Sequence, residues 1–447
     1  MKDLSVLLYP LPEDVEKART FGDYPRAFRL IRKYLEQPQT PACMKERLRL
    51  EEEILEWLPG SYPYTEEEAL ARVREEIPDF TMEELREWED NGGADWIYIS
   101  GTVHLQDRFF ESMKKVYPAI SERAGVISPA HAWPEETIPS IKAAGGALWH
   151  VHMRTSVRMR EDQFRPGHVR AWLPVPAECE NMKNVKILSA SPVIRCESGS
   201  GTLSHTVFFE EDLTENRWFT VEYEYDSCVR YTELKPGTAR IPENMPVHWK
   251  SPQITETPFL RALCEELKNG ESDPVIIARN IYDYCTKNVT YSFMREYAAL
   301  GQIPEYCAAG RKGDCGVQAL LFITLCCIAG IPARWQSGLY VTPDDAGNHD
   351  WAMFYLEPYG WLFADPSFGG SGWRAGNTEK HEYYFGNLDP FRMAANLDVQ
   401  CEFEPETAGL RYDPYDSQSG EIERDGEMLK KGMTERRYEV LEMTKIR

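Results

Sequence analysis

The chain has 447 residues, of which 42% are hydrophobic and 12% aromatic, enough to build packed cores in two or three domains. Its formal net charge of −22 argues against a nucleic acid or an anionic membrane as partner, because phosphate binding needs clustered Lys and Arg. The 11 cysteines follow neither a disulfide nor a zinc spacing, and the N-terminus lacks signal-peptide features, so we expect a cytoplasmic protein.

The first part of the chain, residues 1–146, is predicted to be mostly helical. Residues 44–58 carry Leu, Ile and Trp at helical spacing among Glu, Arg and Lys. A short hairpin is predicted over residues 95–104, and a further helix follows near 107–116. We expect this region to border the cleft of the functional site and to limit what enters it.

From residue 147 the hydrophobic period changes to two, which is typical of strands. Apolar alternation recurs in short segments separated by polar, Pro- or Gly-containing turns, at 147–157, 168–173, 185–188, 206–209 and 218–225. This pattern predicts a β-sandwich-like domain over residues 147–235. His150 and His152 lie in the first of these strands without a Cys or carboxylate pattern, so we expect no metal site there.

A Pro-rich linker at 236–257 opens the third part of the chain, residues 236–400, which is predicted to begin with a helix over 274–287. A second helix follows Cys315, because apolar side chains recur at steps of three and four up to Gly330. Asp314 is the expected N-cap. Cys315 then lies in the first turn, where the helix dipole favours the thiolate.

Two further polar residues follow in extended segments. His349 opens a predicted strand that runs to residue 356, and after a turn a second strand, 361–364, runs back to Asp365. Antiparallel pairing brings the His349 and Asp365 ends together, so that the carboxylate can hold one imidazole nitrogen while the other faces Cys315. A four-residue turn would set Asp365 opposite Ala352, so a bulge or a shifted turn is needed.

These residues fall in motifs that resemble the transglutaminase-like (papain-related) superfamily. The motifs are Gly-Asp-Cys-Gly at 313–316, His-x-Trp at 349–351 and Trp-x-x-x-Asp-Pro at 361–366. The resemblance implies an α+β fold with a papain-like catalytic core, Cys315 as nucleophile, His349 as general base and then acid, and Asp365 as its orienter. It implies no metal and no organic cofactor. The segment 169–176 resembles the β-domain that precedes the core in bacterial members.

One position departs from the family pattern: residue 350, inside His-x-Trp, is Asp. Strand alternation aims its side chain to the opposite face from His349, so we interpret Asp350 as structural. The oxyanion of the tetrahedral intermediate needs donors, for which the Cys315 N–H and the Tyr291 side chain are candidates. Trp335 and Tyr340 are rival residues for the wall of the substrate groove.

The sequence therefore predicts a cysteine-dependent hydrolase of an amide bond, of peptidase or amidase type, acting through an acyl-enzyme thioester. The substrate would be a peptide, a protein or a small amide. Acyl transfer to an amine, as in transglutaminases, and deglycosylation, as in peptide:N-glycanases, are alternatives, and a non-enzymatic binding module is a further one. The segment 401–447 is expected to form a C-terminal extension of extra strands or a cover, and the oligomeric state stays open.

Overall fold

The computed structural model describes residues 4–127, 131–199, 201–411, 413–430 and 432–447. Its α-helices are α1 (Glu13–Thr20), α2 (Tyr24–Glu36), α3 (Ala42–Trp57), α4 (Glu66–Arg74), α5 (Met82–Asp90), α6 (Phe109–Val116), α7 (Pro118–Arg123), α8 (Trp133–Ala144), α9 (Pro258–Lys268), α10 (Pro274–Asn288), α11 (Ile303–Gly310), α12 (Cys315–Ile328), α13 (Pro366–Arg374) and α14 (Thr378–Tyr383).

Its strands are β1 (Tyr64–Thr65), β2 (Trp96–Ile99), β3 (Thr102–Leu105), β4 (Gly146–Met159), β5 (Gly167–Pro174), β6 (Met182–Ser191), β7 (Cys196–Glu197), β8 (Thr206–Leu213), β9 (Phe219–Arg230), β10 (Thr290–Tyr291), β11 (Lys312–Gly313), β12 (Ala333–Val341), β13 (Ala346–Leu356), β14 (Gly360–Ala364), β15 (Phe385–Gly386), β16 (Arg392–Asn396), β17 (Glu421–Arg424), β18 (Glu427–Met428) and β19 (Thr434–Lys445). This mixture of helices and sheets confirms the α+β class.

The N-terminal region consists of helices α1 to α7 around a small sheet in the order β1-β3-β2. Helices α4 and α5 start at capping boxes, in which Thr65 with Glu68 and Thr81 with Glu84 satisfy the free N–H groups. The region contacts the rest of the chain at several places, since α1 to α3 share a hydrophobic cluster with the later helices, and in α6 the Ser112 hydroxyl accepts a hydrogen bond from the Phe293 N–H at 2.9 Å. Helix α6 is thereby held beside the strand β10.

Two antiparallel sheets form the β-sandwich. One has the order β19-β4-β9-β6 and the other β18-β17-β5-β8-β7, with Val151, Tyr223 and Val169 among the buried residues between them. The strands predicted from the two-residue period are present with longer bounds. The segment 401–447 supplies a strand to each sheet: β17 pairs with β5, and β19 runs along β4 from Thr434 opposite Met159 to Lys445 opposite Trp149.

The third layer is a five-stranded antiparallel sheet in the order β15-β14-β13-β12-β16, with α12 packed against one face. Phe322 of α12 meets Phe354 of β13 edge to face, with ring centroids 5.7 Å apart. Nearly every side chain of α12 is buried, which explains why its sequence is apolar all round. This packing sets the N-terminus of α12 against the start of β13.

Neither a membrane-spanning helix nor a metal-binding cluster occurs among the described residues. None of the helices that the structure describes is both long and apolar enough to span a bilayer. In the same part of the chain, no group of three or more His, Cys, Asp or Glu side chains is arranged to hold a metal ion. His150 instead contacts Asp226 at 2.9 Å, and His152 contacts Glu222 at 2.8 Å, both across the β4–β9 pair.

Candidate active site

The first turn of α12 carries Cys315 close against the sheet. The helix begins at Cys315 because Asp314 caps it, accepting a hydrogen bond at 3.1 Å from the backbone N–H two residues beyond the cysteine. Gly316 allows the close approach: a Cβ there would lie 2.3 Å from the Tyr297 hydroxyl and 2.8 Å from an Asp350 carboxylate oxygen. The predicted N-cap is confirmed, and a side chain at position 316 would push the helix away from β13.

His349 and Asp365 form a buried pair. The imidazole Nε2 lies 2.8 Å from Asp365 Oδ2, with His349 4% and Asp365 0% exposed. Asp365 also caps α13, since its Oδ1 accepts a hydrogen bond from the Phe368 N–H at 2.9 Å. A third donor, Arg392 Nη2, approaches Asp365 Oδ2 at 2.8 Å. The carboxylate is therefore held from three sides and orients the imidazole through Nε2.

The strand register explains how Asp365 reaches His349. Strands β13 and β14 pair regularly from Leu356 opposite Gly360 to Ala352 opposite Ala364. The turn thus contains three residues, one fewer than the four expected, and the register shifts by one. This is the shifted turn that the sequence called for, and β13 and β14 pair without a bulge in the part of the chain that the structure describes.

Asp350 does not have the remote, structural position expected from the sequence. Alternation does send Asp350 to the opposite face from His349, but that face is the one against which α12 packs. Ala352 and Phe354, on the same face, are buried together with α12. The Cys315 thiol consequently donates a hydrogen bond to Asp350 Oδ2 at 3.3 Å. Cys315 and His349, both among the described residues, are not joined by a hydrogen bond.

Burial and negative charge determine the ionisation of the site. Burial raises the pKa of Cys315 well above its ordinary value, and the charges of Asp350 and Asp314 raise it further. Burial also raises the pKa of Asp350, with Asp314 as the next cause. These effects outweigh the helix dipole, so the expectation of a partly ionised resting thiol is wrong. The resting site holds a protonated thiol that is hydrogen-bonded to Asp350.

In the His349–Asp365 pair both pKa values are lowered, whereas those of Cys315 and Asp350 are raised. Burial lowers the pKa of His349, and although Asp365 raises it, the charge of Arg392 again lowers it. For Asp365, burial alone would raise the pKa, but His349 and Arg392 hold it below its ordinary value. His349 is thus a neutral imidazole next to a carboxylate at neutral pH, which is the state that a general base requires.

Gln418, from the C-terminal segment, hydrogen-bonds to two residues of the site. The Gln418 side-chain amide donates to Asp350 Oδ1, and it also donates to the His349 carbonyl oxygen at 3.1 Å. Nearby, Asn348 Nδ2 donates to Ser419 Oγ at 2.8 Å. The segment 401–447 was given no role in the sequence analysis. Through Gln418 it contacts both His349 and Asp350.

The remaining predicted residues fall into two groups. Tyr291 pairs with Gly313 in the parallel β10–β11 ladder, and burial raises the pKa of its phenol, which keeps the hydroxyl able to donate. Tyr340 contacts the His349 ring at a centroid distance of 6.4 Å and is half-buried. Trp335 is 0% exposed and packs against Gly316, so it belongs to the core and does not line a groove. The prediction that Trp335 lines the groove is wrong.

Two residues outside the motifs act electrostatically on the candidate site. Arg392 is 0% exposed and pairs with Asp365 and, at 3.0 Å, with Asp389. A charged residue directly before the apolar residues 393–395 of β16 is a signal that sequence reasoning could have used. Lys115, from α6 in the N-terminal region, lowers the pKa of both Cys315 and His349 through its charge. No sequence pattern places Lys115 beside a cysteine 200 positions away.

The chain is similar to known proteins over this part of its length. Residues 261–366 match the family described as the transglutaminase-like superfamily, and a search of curated proteins gave no match. Among solved structures, a candidate cysteine protease from Cytophaga hutchinsonii is 15% identical, covers 66% of this chain and 91% of its own, and superposes with a TM-score of 0.39. The periplasmic domain of TgpA from Pseudomonas aeruginosa is 15% identical, with 55% and 95% coverage and a TM-score of 0.27.

Proposed function

We propose that the transglutaminase-like segment, residues 261–366, is the catalytic core of a cysteine hydrolase that cleaves an amide bond. The observation that carries the proposal is the buried contact of 2.8 Å between His349 Nε2 and Asp365 Oδ2, next to the helix start that holds Cys315. A neutral imidazole oriented by a carboxylate, beside a thiol at a helix N-terminus, is the arrangement that nucleophilic thiol catalysis uses.

In the proposed reaction, the Cys315 side chain turns from Asp350 toward His349, which takes the thiol proton. The sulfur attacks the carbonyl carbon, the C–N bond breaks, and the proton passes from His349 to the leaving amine. The product is a thioester at Cys315. Water, deprotonated by His349, then attacks the thioester, releases the free acid and returns the thiol to its resting contact with Asp350.

The oxyanion of each tetrahedral intermediate needs donors in a site protected from bulk water. The backbone N–H of Cys315 is one donor, because it is free at the start of α12. The phenol of Tyr291, which stays protonated because burial raises its pKa, is the second in this proposal. A cytoplasmic setting, which keeps the thiol reduced, belongs to the same proposal.

Hydrolysis is preferred to acyl transfer because of the approach to His349. The loop before β13, residues 342–345, is polar: the Thr342 hydroxyl accepts a hydrogen bond from the Asp345 N–H at 3.1 Å, and Asp344 accepts one from Trp133 at 2.6 Å. A transferase needs an apolar channel that admits an alkyl amine and shields the thioester from water. A polar, acidic loop gives water access on this side instead.

The test is incubation of the protein with a chemically diverse amide library, with products identified by mass. Wild type should cleave a subset of amides, Cys315→Ala should cleave none, and Cys43→Ala, which removes an exposed thiol, should match wild type. Addition of a primary amine at millimolar concentration should leave the free acid as the main product. Activity retained in Cys315→Ala would end the cysteine-hydrolase proposal, whereas an amine adduct in excess of acid would replace hydrolysis by transfer.

A further inference from the structure

Three cationic side chains from two distant parts of the chain lie near one another and near Cys315. Lys115 of α6 lies over the Tyr291 ring, with 4.0 Å between Nζ and the ring centroid. Arg108, which precedes α6, lies over the Phe293 ring at 3.3 Å. Arg374, the last residue of α13, lies within electrostatic reach of Lys115 and of Tyr291. We call Arg108, Lys115 and Arg374 the cationic rim.

None of these three residues forms an ion pair with a carboxylate of the described residues. The contrast on the same helix is Lys114, whose ammonium lies 2.8 Å from Glu76. The chain has a net charge of −22, so unpaired cations are unexpected in it and carboxylates are abundant. All three side chains are exposed, and the aromatic rings beneath Arg108 and Lys115 hold these two in place without neutralising them.

The nearest acidic groups do not neutralise the rim either. Asp314 is occupied by the Tyr297 hydroxyl at 2.6 Å and by the helix that it caps. Asp350 accepts hydrogen bonds from Cys315 and Gln418, so both of its carboxyl oxygens already have partners. The other two cations repel Lys115: burial lowers the pKa of Lys115, and Arg108 and Arg374 lower it further, against the opposite effects of Cys315 and Asp314. This mutual repulsion would be relieved by a bound anion.

The rim is coupled to the reacting groups. After burial, which lowers the pKa of Lys115, the charge of Cys315 has the largest effect on that pKa and raises it. Lys115 in turn lowers the pKa of the Cys315 thiol and of His349. Solvent reaches the Lys115 side chain although protein surrounds it on several sides, as in a cleft. A molecule that places its carbonyl at Cys315 would therefore bring its neighbouring groups past the cationic rim.

We propose that the cationic rim binds a carboxylate of the substrate, so that the enzyme acts on amides that carry an acidic group next to the scissile bond. An acidic peptide has this chemistry. The inference rests on the proposed function, because it names the substrate class of the same site. Arg108 and Lys115 supply the specificity from the N-terminal region, which gives that region a role at the cleft, and Arg374 supplies it from the core.

The test uses alkylation of Cys315, which requires no knowledge of the substrate. Iodoacetate and iodoacetamide both form an S–C bond at the sulfur and release iodide, but only iodoacetate carries a carboxylate. The ratio of the two rate constants at Cys315, followed by peptide mass mapping, is compared with the ratio for a free cysteine peptide. The variants are Arg108→Gln, Lys115→Gln and Arg374→Gln, and the matched control is Lys114→Gln.

We expect the wild-type ratio to exceed that of the free peptide and to approach it in about 1 M salt, where charges are screened beyond about 3 Å. Each rim variant should lower the ratio about two- to threefold, the effect of one unit charge at roughly 8 Å in water. Lys114→Gln should leave the ratio unchanged. A wild-type ratio equal to that of the peptide, or equal ratios in the rim variants and wild type, would overturn the proposal.

A second measurement keeps the inference separate from the catalytic proposal. Fluorescence anisotropy measures binding to Cys315→Ala of a labelled peptide with alternating Ala and Glu and of its Gln counterpart. Tighter binding of the Glu peptide that is lost in Lys115→Gln would support the rim. This holds even if Cys315 reacts with neither iodoacetate nor iodoacetamide, because a lack of reaction would count only against the proposed function. Equal binding of the two peptides would refute the acidic substrate class while leaving the hydrolase proposal standing.

Discussion

Replacement of Arg392 tests the charge network that orients His349. The guanidinium is 0% exposed and bridges two buried carboxylates, with Asp365 at 2.8 Å and Asp389 at 3.0 Å. Arg392→Met keeps the length and most of the volume of the side chain but removes its charge. Both carboxylates would then remain in the core without their cation, although Asp365 keeps its contact with His349.

The expected magnitude follows from the burial of all three groups. Removal of one partner from a buried ion pair costs about 3–5 kcal/mol of unfolding free energy, because the other charge stays desolvated. Arg154, which pairs with Glu222 at 2.8 Å with its side chain 38% exposed, is the matched control. Arg154→Met should cost less than about 1 kcal/mol, since water screens that pair. The double variant Arg392→Met/Asp389→Asn should recover about 1–3 kcal/mol relative to Arg392→Met.

The assay has a stability readout and a chemical one. Urea denaturation followed by tryptophan fluorescence gives the unfolding free energies. Iodoacetamide alkylation of Cys315 as a function of pH reports His349: the charge of Arg392 lowers the His349 pKa, so Arg392→Met raises it, and the imidazole base is lost at a higher pH on acidification. A stability loss below about 1 kcal/mol for Arg392→Met, or strictly additive costs in the double variant, would refute the reasoning.

Three further predictions concern the thiol and the acids around it. Substrate should protect Cys315 from limiting iodoacetamide near neutral pH, while the exposed Cys43 and Cys196 are labelled equally with and without it; peptide maps in which substrate leaves the labelling of Cys315 unchanged would contradict its role as nucleophile. Asp350→Asn should speed alkylation of Cys315 at pH 7 at least about tenfold, because the charge of Asp350 raises the thiol pKa; slower alkylation would show that Asp350 promotes ionisation. Burial is the main cause that raises the pKa of Asp416, and the charge of Asp350 raises it further. The folded state therefore keeps a proton on Asp416 that the unfolded state releases above about pH 3.9. The unfolding free energy consequently falls as the pH rises from there through the folded-state pKa. Asp416→Asn should remove that slope and gain stability relative to wild type between pH 4 and 8 in urea titrations, and parallel pH curves would disprove it.

The sequence by itself determined the local features of the site. Asp314 was correctly predicted as the N-cap and Cys315 as part of the first turn, because capping involves residues only a few positions apart. The apolar spacing of the following residues predicted helix α12. The proximity of His349 and Asp365 followed from a short antiparallel hairpin, whose geometry depends on one turn. The strands of the β-sandwich were visible for the same reason, because a two-residue period is a local property of the chain.

Only the tertiary structure decided which groups surround the sulfur. Asp350 lies at Cys315 because α12 packs on one particular face of the sheet, and a choice of face is made by the whole core. Lys115 comes from a separate helical region, and Gln418 comes from the C-terminal segment, so their contacts with the site join residues from about 70 to 200 positions apart. Such contacts carry no periodic signature, because they arise from the docking of whole elements through apolar surfaces elsewhere. The charge of the site is therefore a property of the assembled fold.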